Sequence, residues 1–201
     1  MTIEQNVRII VADQNNASYS VPGLPVVEAQ ALASKLQSRL HALNDLQLTL
    51  KHIHWNVVGP KFISVHEMLD PMVEQARAMA DEIAERMATM GVEPIGTPGD
   101  LVATRTWEDY PIGRAQAAEH LAALDLVFDG VISDHRDVMN EAGKVDAVVE
   151  DILIGQIKEL EKSQWFVRSH LIDNDGNLAS AGADSAKQAA QQGLEVDKAL
   201  D

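Results

Sequence analysis

Residues 51–70 read KHIHWNVVGPKFISVHEMLD, and the break at Gly59–Pro60 in the middle of this stretch decides the fold. Upstream of it, the seam Leu36, Leu40, Leu43, Gln47, Leu50, His54, Val57 advances in steps of three and four. That spacing keeps one face of an α-helix together and predicts a long amphipathic helix from Ala29 to Val58, with His54 in its stripe. Downstream, Val65, Leu69, Met72, Ala76, Met79, Ile83, Met87 and Met90 carry a second helix to Gly91. Ser64 followed by Glu67 is expected to start that helix as a capping box. The stretch is therefore a helical hairpin with a histidine on either side of its turn.

Working outward, residues 91–113 read GVEPIGTPGDLVATRTWEDYPIG, which is rich in Gly and Pro and too long for a simple hairpin loop. It predicts a crossover holding one short helix near Pro98–Ala103. Leu121, Leu124, Phe128, Val131, His135, Val138 and Ala142 mark a third long helix, stopped by Gly143. Val145, Val149, Ile152, Leu160, Val167 and Leu171 mark a fourth, begun near Asp146. The expected fold class is all-α: a ferritin-like four-helix bundle with a short helix in the crossover between the second and third helices. Around the bundle at 29–173, residues 1–28 are expected as an extended arm and residues 174–201 as a polar, mobile tail. No strand pattern or internal repeat is evident.

Composition narrows the chemistry. The 201 residues contain no cysteine, so neither disulfides nor thiolate metal sites are available and a reducing compartment fits. The start, MTIEQNVRIIVADQ, has no cationic n-region and only a short apolar run, so the expected location is the cytoplasm. No segment approaches the length needed to span a membrane. A formal net charge of −15 disfavours nucleic acid and anionic membranes as partners and favours cations.

At about 100° per residue, His66, Asp70, Asp81 and Glu85 fall at about 0°, 40°, 60° and 100° around the second helix, beside its apolar seam. Yet Asp70 and Asp81 are about 16 Å apart along the axis, too far for one ion within one helix. His66 with Glu85, and Asp70 with Asp81, share a midpoint between Gln75 and Ala76. If two copies cross antiparallel about a two-fold axis there, His66 and Asp70 of one chain face the acidic pair of the other. Each dimer then gains two equivalent sites. Ala76, Ala78 and Ala80 are small enough to permit the approach, and His54 is placed to add a nitrogen. Imidazole with carboxylate suits Fe(II), Mn(II) or Zn(II), one or two ions per site. The plainer reading of each part, a packed histidine or a solvated acidic pair, is what the common midpoint weighs against.

Competing motifs are weaker. HEMLD at 66–70 misses the H-E-x-x-H signature because Asp70 stands where the second histidine would be. No E-x-x-H occurs, so an intramolecular di-iron site is not encoded. No G-x-S-x-G, Walker or dinucleotide glycine pattern appears.

HWNVVGPKFISVHEMLDP (54–71), ADEIAERM (80–87), RTWEDY (105–110), HLAALDLVFDGVISDHRD (120–137) and ELEKSQWFVRSHL (159–171) resemble the Dps family, or miniferritins, and in particular its actinobacterial members. The resemblance implies a dodecameric shell built from two-fold dimers. In it ferrous iron is oxidised, preferentially by hydrogen peroxide but also by dioxygen, and stored as ferric mineral, protecting against oxidative stress. By motif, His54, His66 and Asp70 are implied as metal ligands from one chain and Asp81 and Glu85 from its two-fold mate; His52, about 200° around the helix from His54, is not. Iron, as Fe2+ and Fe3+, is the implied metal, with two ions possible per site and Zn or Mn able to substitute. Trp55 resembles the family's tryptophan beside the site, implied to intercept stray oxidising equivalents, with an interface anchor as the alternative role. Trp165 reads as core or interface, and His135 as packing.

SDHR at 133–136 matches the family's pore-lining segment and implies Asp134, then Asp129 and Asp137, as iron-entry carboxylates; by composition alone, with Asp125, they form a solvated face. The chain departs from the family over DNA. Its arm offers Arg8 against Glu4, Asp13 and Glu28, and its tail Lys187 and Lys198 against Asp173, Asp175, Asp184, Glu195, Asp197 and Asp201. DNA binding is accordingly expected to be weak or absent. Two alternative readings are a nucleoid-binding structural protein, which the acidic tails disfavour, and a metal-dependent amide hydrolase using water bound at the same ligands.

Overall fold

The computed structural model describes residues 17–200, with side chains through Lys198; the expected arm at 1–28 therefore lies mostly outside the described residues. Four long helices form the bundle: α1 (Val26–Asn56), α2 (Phe62–Thr89), α4 (Ala117–Ala142) and α5 (Ala147–Ser169). A short α3 (Pro98–Thr104) lies in the crossover and α6 (Ala186–Leu200) follows the bundle. The core follows the seams read from the sequence, except that Val145 is exposed ahead of α5, and is widened by residues such as Leu46, Ile53, Val73 and Leu153, all under 5% exposed.

The ion pairs define the topology. His54 meets His66 and Lys51 meets Asp70, so α1 and α2 are antiparallel. Lys35 reaches Glu141 and Arg39 reaches Asp134, so α4 also runs antiparallel to α1. The end of α2 and the start of α4 thus lie at opposite ends of the bundle, and the crossover must travel its length. It does so in rungs along one face of α1: Gln37 with both polar atoms of Ile95, His41 with Asp100 at 3.3 Å, Asp45 with the Trp107 indole N–H at 2.7 Å, and His52 with the Ile112 carbonyl at 2.8 Å. The crossover ends in a two-residue parallel pairing of Val57–Val58 (β1) with Ala115–Gln116 (β2), a strand contact with no sequence pattern behind it.

Two expected caps differ in outcome. The Asp146 carboxylate accepts from the backbone N–H of Val148 and Val149 and starts α5 as expected. Ser64 does not cap α2. That helix begins two residues earlier, at Phe62, and the Ser64 hydroxyl, already inside the first turn, donates to the Lys61 carbonyl. A Gln–Glu pair that the sequence reading passed over closes the N-terminus of α4, where Glu119 accepts from the Gln116 backbone N–H.

Within the segment from residue 174 expected as a polar tail, the fold places a helix packed on the bundle. The Ser180 hydroxyl, 3% exposed, donates to buried Asp125 at 2.6 Å. Beyond it, α6 packs on α4 through Ala189, Ala190 and Gly193; a Cβ at Gly193 would stand 2.5 Å from the Ala118 carbonyl oxygen. Small residues that read as low complexity are here what lets two backbones approach.

Two buried histidines give the bundle a pH dependence. His120 and His135 are fully buried, and desolvation pushes both imidazoles down to about 4. They are therefore neutral in the native state, while in the unfolded chain they take up protons below about pH 6.5. The unfolded state binds the extra protons, so stability is complete above that value and is lost as pH falls toward 4. Between pH 6 and 5 the free energy of unfolding should drop by about 2 kcal/mol, and His135→Gln should remove about half of that slope in denaturant titrations.

Candidate metal centre

His54 ends α1 and His66 lies in the second turn of α2, so the short turn between them brings the two rings together. Gly59, at φ +98°, supplies the left-handed backbone that reverses the chain. The rings stack with centroids 3.6 Å apart and planes inclined by 22°. His54 Nδ1 lies 2.9 Å from the His66 carbonyl oxygen, and His66 Nδ1 lies 2.9 Å from the His54 carbonyl oxygen. A carbonyl only accepts, so each Nδ1 carries the proton and donates. That leaves each Nε2 as the nitrogen through which a neutral imidazole would ligate a metal ion.

Asp70, one turn along α2, is exposed and its carboxylate is held by Lys51 of α1 at 2.6 Å. His54 Nδ1 lies a further 3.3 Å away. The hydrogen bond from Lys51, with the charge of its ammonium, holds the Asp70 carboxyl below the usual carboxylate range. Nothing in the sequence pattern singled out Lys51. It is found only by following which α1 residue faces Asp70 once the hairpin closes.

Asp81 and Glu85 stand on the exposed face of the same unbroken 28-residue helix, about 16 Å and about 22 Å from Asp70 along its axis. Neither makes an ion pair or hydrogen bond with a described residue, whereas neighbouring Glu82 accepts from Gln156 and Arg86 pairs with Asp146. Among the described residues of one chain, no three histidine or carboxylate side chains converge on an ion-sized space. One chain thus gathers His54, His66 and Asp70 near one end of α2 without closing an ion-sized site, and leaves Asp81 and Glu85 apart.

The remaining candidates separate in the same way. Trp55 is 71% exposed, lining a groove with Leu48 and Val102 rather than packing in the core. Trp165, 62% exposed, is likewise outside the core. Asp134 pairs with the buried Arg39 at 3.1 Å, Asp129 with Arg168 at 2.8 Å, and Asp137 is exposed. Asp125, which composition grouped with this acidic face, is buried and accepts from Arg168, Gln164 and Ser180. His52 is occupied by the Ile112 carbonyl, on the far side of α1 from His54.

Residues 33–174 match the model of the ferritin-like domain. The chain is 51% identical over 175 residues to the DNA protection during starvation protein of Mycolicibacterium smegmatis, covering 87% of this chain and 96% of that one. The solved structure of DpsA14 from Streptomyces coelicolor is similar at a TM-score of 0.79 and 58% identity, over 81% of this chain and 96% of that one. That of Mycobacterium smegmatis Dps is similar at a TM-score of 0.81 and 52% identity, over 83% and 95%. No helix of the described residues is long and apolar enough to cross a membrane. A bundle of this topology, a paired-histidine edge beside a carboxylate, and identity of this extent lead to one conclusion: the chain belongs to the Dps branch of the ferritin-like family.

Proposed function

We propose that this protein is a ferroxidase and iron store whose metal sites lie between two subunits of a homododecameric shell. Ferritin-like proteins of this branch bind and store iron and protect against oxidative stress. The observation that supports the finer reading is the reciprocal histidine pair, in which each Nδ1 is engaged by the other residue's carbonyl and each Nε2 is the ring nitrogen left for a metal ion. Asp70 of the same chain and Asp81 and Glu85 of a two-fold mate would complete a set of two imidazoles and three carboxylates. Ferrous iron is the substrate, two ions fitting one set, and Zn(II) or Mn(II) would compete for it.

In the proposed reaction, two Fe(II) ions each give one electron to one hydrogen peroxide. With two waters they yield two FeOOH units and four protons, so no hydroxyl radical is released. Dioxygen is the slower oxidant in this reading. The carboxylates supply the negative charge that gathers Fe(II), and Trp55, exposed one residue from His54, is placed to intercept an oxidising equivalent. Iron would enter along Asp134, Asp129 and Asp137 at a three-fold channel. Mixing iron-free protein with Fe(II) and peroxide while following ferric absorbance tests the reading; a stoichiometry of about two Fe(II) per peroxide is expected. Oxidation no faster than in buffer would refute it.

Lys51 occupies Asp70 when no metal does, so it competes with the incoming ion. Lys51→Gln is expected to raise Zn(II) affinity, read by calorimetry, by about tenfold. Unchanged affinity would mean that Lys51 has no part in gating the site.

The acidic C-terminus is docked as α6, with Lys61 holding Asp197 at 2.5 Å, so it offers no free cationic strand to phosphate. Supercoiled DNA is therefore expected to run unshifted with low micromolar protein at physiological salt. A discrete retarded band would assign the protein a direct nucleoid-binding role.

A further inference from the structure

A cavity of about 470 Å³ opens between α1 and α4, away from the histidine pair. The crossover at Trp107 and the segment 184–187, where α6 begins, close it over. Its volume falls in the range of small-molecule sites. The inner wall is apolar, made by Leu46, Leu126 and Val127. The Trp107 indole N–H is already taken by Asp45, so the tryptophan lines the cavity with no polar demand left.

The charges on the lining are unequal. Asp45 and Asp109 share the single charge of Arg105, and Asp134 pairs with Arg39. That leaves Glu108 and Asp184, neither of them in an ion pair with a described residue, against Lys187 as the one lining cation. A small anion would meet two free carboxylates, and a hydrated metal ion would gain nothing from the apolar wall. An aromatic ring beside carboxylates is what an organic cation uses, by cation–π and charge attraction together.

Gly130 is the independent sign that the space is kept open. It sits in the middle of α4, where glycine costs about 1 kcal/mol relative to alanine. A Cβ built there meets nothing within 4 Å, so packing does not require glycine. Gly130 lines the cavity, and a larger side chain at this position would enter it.

We propose that this cavity binds a small organic cation whose charge sits at one end of an apolar body, the ammonium toward Glu108 and Asp184 and the body along Leu126, Val127 and Trp107. The site is distinct from the paired-histidine metal centre, although Asp134, assigned above to iron entry, stands on its rim.

The test is calorimetric titration of the assembled protein with benzyltrimethylammonium chloride. Saturable binding with a Kd of about a millimolar or tighter, at one site per chain, is expected. Gly130→Leu should weaken it at least about tenfold by filling the space, whereas Gly130→Ala leaves it in place. Glu108→Gln with Asp184→Asn should weaken it about fivefold and flatten its salt dependence. The Gly130→Leu shell should elute at the wild-type size and melt within a few degrees of it, which separates loss of this site from damage to the protein. No saturable heat up to about 20 mM, or equal binding by wild type and Gly130→Leu, would overturn the proposal, the second by assigning the heat to the acidic surface at large.

Discussion

Replacing His66 and Asp70 together with alanine should lower the rate of ferrous oxidation by at least about a hundredfold, with the shell intact by size exclusion. Asp70 is exposed and His66 only half-buried, so their loss creates no large cavity. The variant does remove the His66 Nδ1 donor from the His54 carbonyl, at a cost of about 1 kcal/mol. The activity loss should far exceed that stability loss, because two of five donors disappear from every site. His66→Gln alone is informative beside it: an amide has no ring nitrogen lone pair to aim, and a loss of similar size would assign the role to Nε2 rather than to packing. Rates within about threefold of wild type in the double variant would remove this site from the chemistry.

Asp125→Ala should be the most destabilising single change, at about 3 kcal/mol. The carboxylate is 1% exposed, with Oδ1 accepting from Arg168 at 2.7 Å and Gln164 at 2.9 Å and Oδ2 from Ser180 at 2.6 Å. Arg168 and Gln164 both keep Asp129, so the larger cost comes from the buried Ser180 hydroxyl, left without its acceptor, and from the space the carboxylate vacates. Asp125→Asn keeps one oxygen acceptor and should fall between wild type and alanine. Since Ser180 ties down the segment that leads into α6, hydrogen exchange in α6 should rise in Asp125→Ala well before that in α2. Equal acceleration in both would show that α6 is not held through this anchor.

The four bundle helices and the crossover were legible because their signals are periodic: three-and-four spacing of apolar residues, a Gly-Pro break, and a Gly/Pro-rich stretch too long for a hairpin. Asp146 was legible as a cap because its effect is local. Ser64 was misread for a complementary reason: the local pattern S-x-x-E was present, but the α2 N-terminus is set by the turn geometry after Gly59, which places Ser64 inside the helix. The docking of α6 was hidden because Ala189, Ala190 and Gly193 carry almost no hydropathy signal, and their value appears only against the partner backbone at Ala118. Asp125 was hidden because a carboxylate in an acid-rich helix looks solvated until Arg168, Gln164 and Ser180 are found around it. At the metal centre, residue types and their angular positions were readable, whereas the reciprocal Nδ1–carbonyl bonds and Lys51 depend on how two helices close and leave no trace in spacing.

The central claim is that a complete metal set is assembled from two chains, and mixed shells test it most directly. One variant carries His66→Ala and Asp70→Ala; the other carries Asp81→Ala and Glu85→Ala. Each alone should be inactive. Unfolded together and refolded as a mixture, about half the dimers contain one of each, and each such dimer regains one intact set from the undamaged halves. Fe(II) oxidation should therefore return to about one quarter of the wild-type rate. Mixed shells as inactive as either parent, or an Asp81→Ala, Glu85→Ala variant with wild-type activity, would contradict the account.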